Sequence, residues 1–149
     1  MSVGTTMATN RRARFDFEIL ETVEAGLVLT GTEIKAIREG RANITEGFAR
    51  PQSDEMWLFN AHISPYSAAG GESHDPTRPR KLLLHKDQVV SLSRQVAEKG
   101  LAIVPLRLYL RRHLAKVELG LARGRRRYDK RRVIIDRERE REARSAVSR

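Results

Sequence analysis

A chain of 149 residues, 40% of them apolar, suits one domain of ordinary size with a modest core. It has no Cys, which excludes disulfides, thiolate metal sites and cysteine nucleophiles and fits a reducing cytoplasm. The net charge of +10 lies wholly at the ends: residues 1–14 carry +3, residues 121–149 carry +7, and the stretch between is neutral. Basic segments flanking a neutral body are a recurring way to hold nucleic acid. The N-terminus has no apolar signal-like core and no run approaches ~18 apolar residues, so a soluble, cytoplasmic chain with no membrane partner is expected.

Residues 1–14 read as a flexible basic arm ending in NRRAR. Phe15, Phe17, Ile19, Glu21 and Val23 alternate with Asp16, Glu18, Leu20, Thr22 and Glu24, which predicts a strand with the aromatic series inward. Glu24-Ala25-Gly26 reads as a turn into Leu27-Val28-Leu29, giving an antiparallel hairpin. TGTEIKAIREG reads as a short helix: Thr30 or Thr32 caps it, Ile34 and Ile37 share a face, and Gly40 stops it. MWLFNAHI (56–63) is the clearest strand, with Trp57, Phe59, Ala61 and Ile63 on one face and Asn60 and His62 on the other. Phe48-Ala49-Arg50, across the polar PQSDE, is its hairpin partner.

Residues 64–80 hold three of the five prolines and read as a long surface loop. From Lys86 to Lys99, Val89, Leu92 and Val96 recur at helical spacing, and Gly100 closes a second helix. LAIVPLRLYL and LAKVELGLA each alternate; Ala115, Val117, Leu119 and Leu121 point one way, Lys116, Glu118 and Gly120 the other. Pro105 demands an edge position or a bulge. The expected fold is mainly β, a small closed antiparallel barrel over residues 15–124 with two or three short helices. A basic tail follows over 125–149. There DRERERE (136–142) opposes like charges at i,i+4 to unlike ones at i,i+3, so the free tail is expected to be disordered. Were it to fold as a helix, Lys130, Arg137, Arg141 and Arg144 would fall within about 60° on one side.

No catalytic, metal or cofactor site is expected. His62, His74, His85 and His113 stand at no metal-ligand spacing. His74-Asp75 resembles a pair from metal-dependent phosphohydrolases, but before Pro76 a turn-forming Asp is the simpler reading. No phosphate-loop, dinucleotide or nucleophile-elbow pattern occurs. The cations are better organised. Arg11 and Arg12 precede the first strand, RPRKLLLHK (78–86) sets four cations, Arg80 and Lys81 among them, around an apolar run, and Lys116 lies outward. Such groups bind phosphates without reading sequence. Few exposed aromatics are expected, which points to structured RNA rather than stacked single strands. Glu24 is either a commonplace solvated acid at a turn or an acceptor for base amino and imino groups that orients a basic surface.

NRRARFDFEILETVEAGLVLTGTEIKAIREGRANI, HDPTRPRKLLLHK, GLAIVPLRLYL and AKVELGLARGRRRYDKR together resemble, in order, the blocks of the SsrA-binding protein (small protein B) family of bacterial trans-translation. The resemblance runs from Asn10 to about Arg132. It implies an oligonucleotide-binding-type (OB-fold-like) barrel that binds the tRNA-like part of transfer-messenger RNA as a monomer. The complex enters stalled ribosomes, where the stalled chain is tagged and the ribosome released. RNA contacts are then expected at Asn10, Arg11, Arg12, Glu24, Leu83 and Lys116, with Arg80 and Lys81 in the adjoining basic run. The resemblance also implies a tail that contacts the decoding centre, lies in the mRNA channel and is helical there. Arg125, Arg126, Arg127, Tyr128, Asp129, Lys130 and Arg131 begin it; Arg137, Arg141 and Arg144 continue it. Tyr128 stands where many members have His, Arg125-Arg126-Arg127 where Lys is frequent, and His113 in a turn where small residues are common. The competing reading is an integral ribosomal protein with basic extensions.

Overall fold

In chain order the computed structural model, which describes residues 4–66, 73–125 and 127–147, begins with β1 (Thr5–Thr9), α1 (Ala13–Asp16), β2 (Phe17–Leu27) and α2 (Gly31–Arg38). There follow β3 (Ala42–Asn43), β4 (Phe48–Gln52), β5 (Glu55–Phe59), β6 (His62–Ile63) and β7 (Arg80–Leu83). The chain continues through α3 (Lys86–Lys99), β8 (Ala102–Arg111), β9 (Leu114–Gly124) and α4 (Arg127–Val147). The architecture is mainly β with several helices. Seven strands form one antiparallel sheet in the order β1-β8-β4-β5-β7-β2-β9, β8 also pairs with β9, and β3 pairs with β6 separately. From α2, Ala36 and Ile37, and from α3, Val89 and Leu92, join Met56, Leu58, Leu82, Val117 and Leu119 in the main core.

Bulges in the long strands decide which residues face that core. The β2 register passes from Ile19↔Ala122 to Glu21↔Leu121, and the β8 register from Pro105↔Leu119 to Arg107↔Glu118. One extra residue turns the same alternating series to the opposite face. Phe17 and Ile19 therefore pack with Ala13, Val104, Leu106 and Ala122 in a second cluster, whereas Val23, Ala25 and Leu27 join the main core. The bulge expected at Pro105 is present. The one at Leu20 is not legible in the sequence, and beyond it Glu21, expected inward, is exposed.

Several local expectations are corrected. The hairpin at Glu24-Ala25-Gly26 is absent: β2 runs through to Leu27, and Gly26 pairs with both Lys116 and Leu83. Phe15 lies in α1, not in a strand. The arm expected to be flexible over 1–14 contains β1, zipped onto Arg107–Leu110 of β8. The strand expected over 56–63 breaks at Asn60, whose φ of 58° is left-handed. That break shifts the phase, so Met56 and Leu58, then Ala61 and Ile63, are buried, while Trp57 and Phe59 are half-buried outside. The β4–β5 hairpin is as expected, closed by Ser53 and Asp54, both with positive φ. Thr30 caps α2 through a reciprocal capping box with Glu33, and α3 stops at the left-handed Gly100.

Candidate nucleic-acid interface

The outer face of β2, β9 and β8 carries the best-organised polar group. Val117 and Leu108 point into the core, so their neighbours Lys116 and Tyr109, paired across β8 and β9, point out. Gly26 of β2 lies opposite Lys116 on one side and Leu83 of β7 on the other. A Cβ at Gly26 would stand 3.2 Å from the Leu83 Cβ, so the glycine lets Leu83 lie against the strand. The result is a groove of about 390 Å³ lined by Glu24, Gly26, Leu83, His85 and Lys116. Leu83 is 52% exposed there, an apolar surface beside a cation and an acid.

Glu24 is held in place. Its Oε2 accepts from the Tyr109 hydroxyl and its Oε1 from Arg111 Nη2 at 2.6 Å. The Tyr109 ring lies under the Arg107 guanidinium, 4.2 Å from the ring centroid, and Arg107 also donates to the Thr6 hydroxyl at 3.0 Å. Burial, reinforced by the bond to Glu24, pushes the Tyr109 phenol up to about 12. Tyr109 and Arg111 were missed from the sequence. The alternation of LRLYLRR puts Arg107, Tyr109 and Arg111 in one outward row, which was the available signal.

Asn10, Arg11 and Arg12 sit elsewhere, over the start of β2. Phe17 and Glu24 are seven residues apart, so roughly 20 Å of strand separates the two regions. Asn10 is 7% exposed and works as a clamp. Its Nδ2 donates to the Pro105 carbonyl (2.9 Å), its backbone N–H to the Leu106 carbonyl (2.9 Å), and its Oδ1 accepts from Ala13 N–H (3.1 Å). The clamp grips the β8 bulge and presents Arg11 and Arg12, both exposed, the latter 3.6 Å from Asp16.

The basic run before α3 divides. Arg80, expected at the RNA surface, is fully buried: its Nε donates to Glu33 Oε2 (2.5 Å) and its Nη1 to the Ala61 carbonyl (2.7 Å). Arg78 also holds Glu33, at 2.5 Å. Burial alone would raise the Glu33 carboxyl, but hydrogen bonds from Arg78, the Thr30 N–H and Arg80 outweigh it and bring the group down to about 2. Lys81 faces outward and pairs with Glu55. His74 is a brace: its Nε2 donates to the Ile63 carbonyl (2.8 Å), and its Nδ1 meets the Thr32 hydroxyl (2.9 Å). Asp75 accepts from Thr77 N–H at 3.0 Å, the expected turn.

Among the described residues whose side chains are placed, every Phe, Tyr and Trp is buried or half-buried, in keeping with the expectation of few exposed aromatics. Phe48 and Phe59 stack at 5.5 Å on the β4–β5 hairpin, with Arg50 over Phe59 at 4.7 Å.

The tail, expected to be disordered when free, is here the single helix α4. Its residues after Arg127 are largely strong helix formers with neither Gly nor Pro. Arg125 N–H donates to the Asp16 carbonyl at 2.9 Å, joining the tail's start to α1. Arg131, Arg137, Arg141 and Arg144 are exposed, as are Ile134 and Ile135. Arg126 and the side chains of Arg127, Tyr128, Asp129 and Lys130 lie outside the described residues. No helix among the described residues is long and apolar enough to cross a membrane.

Three comparisons bear on this geometry. Residues 7–149 match the family model described as SmpB protein. The chain is 54% identical over 137 residues to the SsrA-binding protein of Desulforudis audaxviator, covering 92% of this chain and 90% of that one. It is 51% identical over 144 residues to the SsrA-binding protein of Thermobifida fusca, covering 97% and 90%. A solved structure described as "tmRNA-SmpB: a journey to the center of the bacterial ribosome" superposes with a TM-score of 0.68 at 48% identity, over 85% of this chain and 92% of that one.

Proposed function

The chain belongs to the SmpB protein family, and from that premise we propose that it binds SsrA, the transfer-messenger RNA, and brings it to stalled bacterial ribosomes for peptide tagging and ribosome rescue. The observation that carries this reading is the meeting of Glu24, Leu83 and Lys116 in one groove on the outer wall of a β-sheet. Lys116 supplies a point charge for phosphate, and Leu83 an apolar seat for a ribose or an unstacked base. Asn10 holds Arg11 and Arg12 over the same strand at its far end, extending the basic surface. The wall belongs to a closed barrel of the oligonucleotide-binding type. Pairing that passes from β8 through β4, β5, β7, β2 and β9 back to β8 supports that closure. The chain acts as a monomeric, cytoplasmic adaptor without catalysis of its own. Its tail from Arg125 onward, with the Arg125–Arg131 run and the cations at Arg137, Arg141 and Arg144, is the ribosome-facing part.

Sequencing the RNA that copurifies with the tagged chain tests the reading. Transfer-messenger RNA should dominate, with the protein far scarcer than ribosomes; unit stoichiometry with ribosomal RNA would make it an integral ribosomal component instead. A chain truncated after Gly124 should still bind the RNA but fail to support tagging. Normal tagging by that truncated chain would remove the tail from the mechanism.

A further inference from the structure

We propose that Arg111 is an RNA-binding residue at the Glu24 side of the groove and that Glu24, fixed by Tyr109, acts by positioning it. This rests on the reading above that the groove takes transfer-messenger RNA, and it changes how Glu24 takes part. A carboxylate facing a polyanion is repelled unless it holds a cation. Each oxygen of Glu24 already accepts a donor from its own chain, Arg111 on Oε1 and Tyr109 on Oε2. The group with donors to spare is Arg111. It carries five N–H donors, spends one of its nitrogens, Nη2, on Glu24, and keeps 36% of its side chain exposed. Gripped on one side, a planar guanidinium presents its remaining edge in a fixed direction, the arrangement suited to two-point phosphate recognition.

Tyr109 cannot itself be the contact, because it is only 4% exposed. It is pinned from above by Arg107 and from the side by the chain entering β1, where a Cβ at Gly4 would stand 2.8 Å from the ring. Its hydroxyl therefore has one destination, Glu24 on a strand two places away across β9. The raised phenol keeps that hydroxyl a donor throughout the physiological range. The other charged groups of this outward row are Arg107, Lys116 and Glu118, so the row remains cationic with Glu24 paired.

The test is a double-variant cycle on the full chain, titrating the isolated tRNA-like fragment of transfer-messenger RNA at several salt concentrations. Arg111→Ala should weaken binding about tenfold, the scale of a charged hydrogen bond. It should also flatten the slope of log affinity against log salt by roughly 0.7 to 0.9, one phosphate contact. Glu24→Gln should lose a similar factor, and the double variant should be no weaker than the worse single. Tyr109→Phe should cost severalfold while leaving the salt slope unchanged. Losses that multiply in the double variant, or an Arg111→Ala chain that binds as tightly as wild type, would overturn the proposal. Lys116→Ala separates the two levels. If the wild-type chain shows no preference for the fragment over competitor RNA, the functional reading fails. If Lys116→Ala weakens binding and Arg111→Ala does not, only this inference fails.

Discussion

Glu33 on α2 and Glu24 on β2 are both carboxylates held by an arginine and a second side-chain donor from far along the chain. Glu33 has Arg80 and Arg78; Glu24 has Arg111 and Tyr109. The Glu33 and Arg80 side chains are 0% exposed, while those of Glu24 and Arg111 are 43% and 36% exposed. The same pair of residue types thus serves two ends. Out of water, the arginine's donors are consumed by carbonyls of the loop before β7, and the pair fastens α2 to that loop and to Ala61. At the surface, the arginine keeps donors free for a partner. What separates the structural pair from the one proposed for binding is solvent, not chemistry.

The contrast predicts its largest effect at Glu33. Glu33→Ala leaves Arg80 buried without its counter-ion, and urea unfolding should show a loss of about 3–5 kcal/mol. Acid should reveal the same pair. The folded carboxyl sits at about 2 against an ordinary value of 4.5. A depressed folded value contributes stability that is fully present above about pH 4.5 and disappears as pH falls toward 2. The shift corresponds to about 3 kcal/mol over that window. Glu33→Gln should flatten this stretch of the stability–pH curve. A wild-type curve already flat between pH 4.5 and 2 would mean that the pair does not hold the fold.

Glu24 should give the smaller, complementary result. Its exposed pair should contribute less than about 1 kcal/mol to folding, so Glu24→Ala should unfold close to wild type while binding RNA measurably worse. Equal destabilisation by the Glu24 and Glu33 variants would erase the distinction between the two pairs.

Much of the frame is readable from periodicity, and the failures have identifiable causes. The inward row of β9, the capped α2 and the end of α3 at Gly100 all follow from local signals. The missed bulge at Leu20 and the phase shift at Asn60 are single-residue events inside otherwise regular apolar alternation, where both faces carry apolar residues and no pattern marks the change. Arg80 is more instructive. In Arg80-Lys81-Leu82-Leu83 a period of two puts Arg80 on the same face as the buried Leu82, so its inward direction was legible. Its partner lies 47 residues away, and nothing local supplies it. Tyr109 fails for the same reason: its outward direction follows from the strand, but its reach to Glu24 depends on how β9 registers between β2 and β8. The tail differs in kind. Its alternating charges set unlike pairs at i,i+3 against like pairs at i,i+4, which nearly cancel, so the helix of α4 leans on the helix-forming preference of Arg, Lys, Glu and Ala, densest over 137–144.

A more exposed acid–arginine pair extends the comparison and carries the smallest prediction. On α4, Glu140 and Arg144 stand four residues apart, 4.0 Å from each other, with side chains 71% and 83% exposed. The order, acid before base, is the favourable one for a helix, but water screens the pair on all sides. Glu140→Ala would remove it and install a better helix former at the same position, so the two effects oppose each other. Circular dichroism of the full chain should therefore be unchanged within error, and so should the rate of tagging. Ile135→Pro is the control that shows the assays can respond. It removes a helix-interior N–H and clashes with the preceding turn, so it should lower helicity and mimic truncation of the tail. If Glu140→Ala behaved like Ile135→Pro, an exposed pair would be doing what only the buried pair is expected to do, and exposure would no longer rank the three.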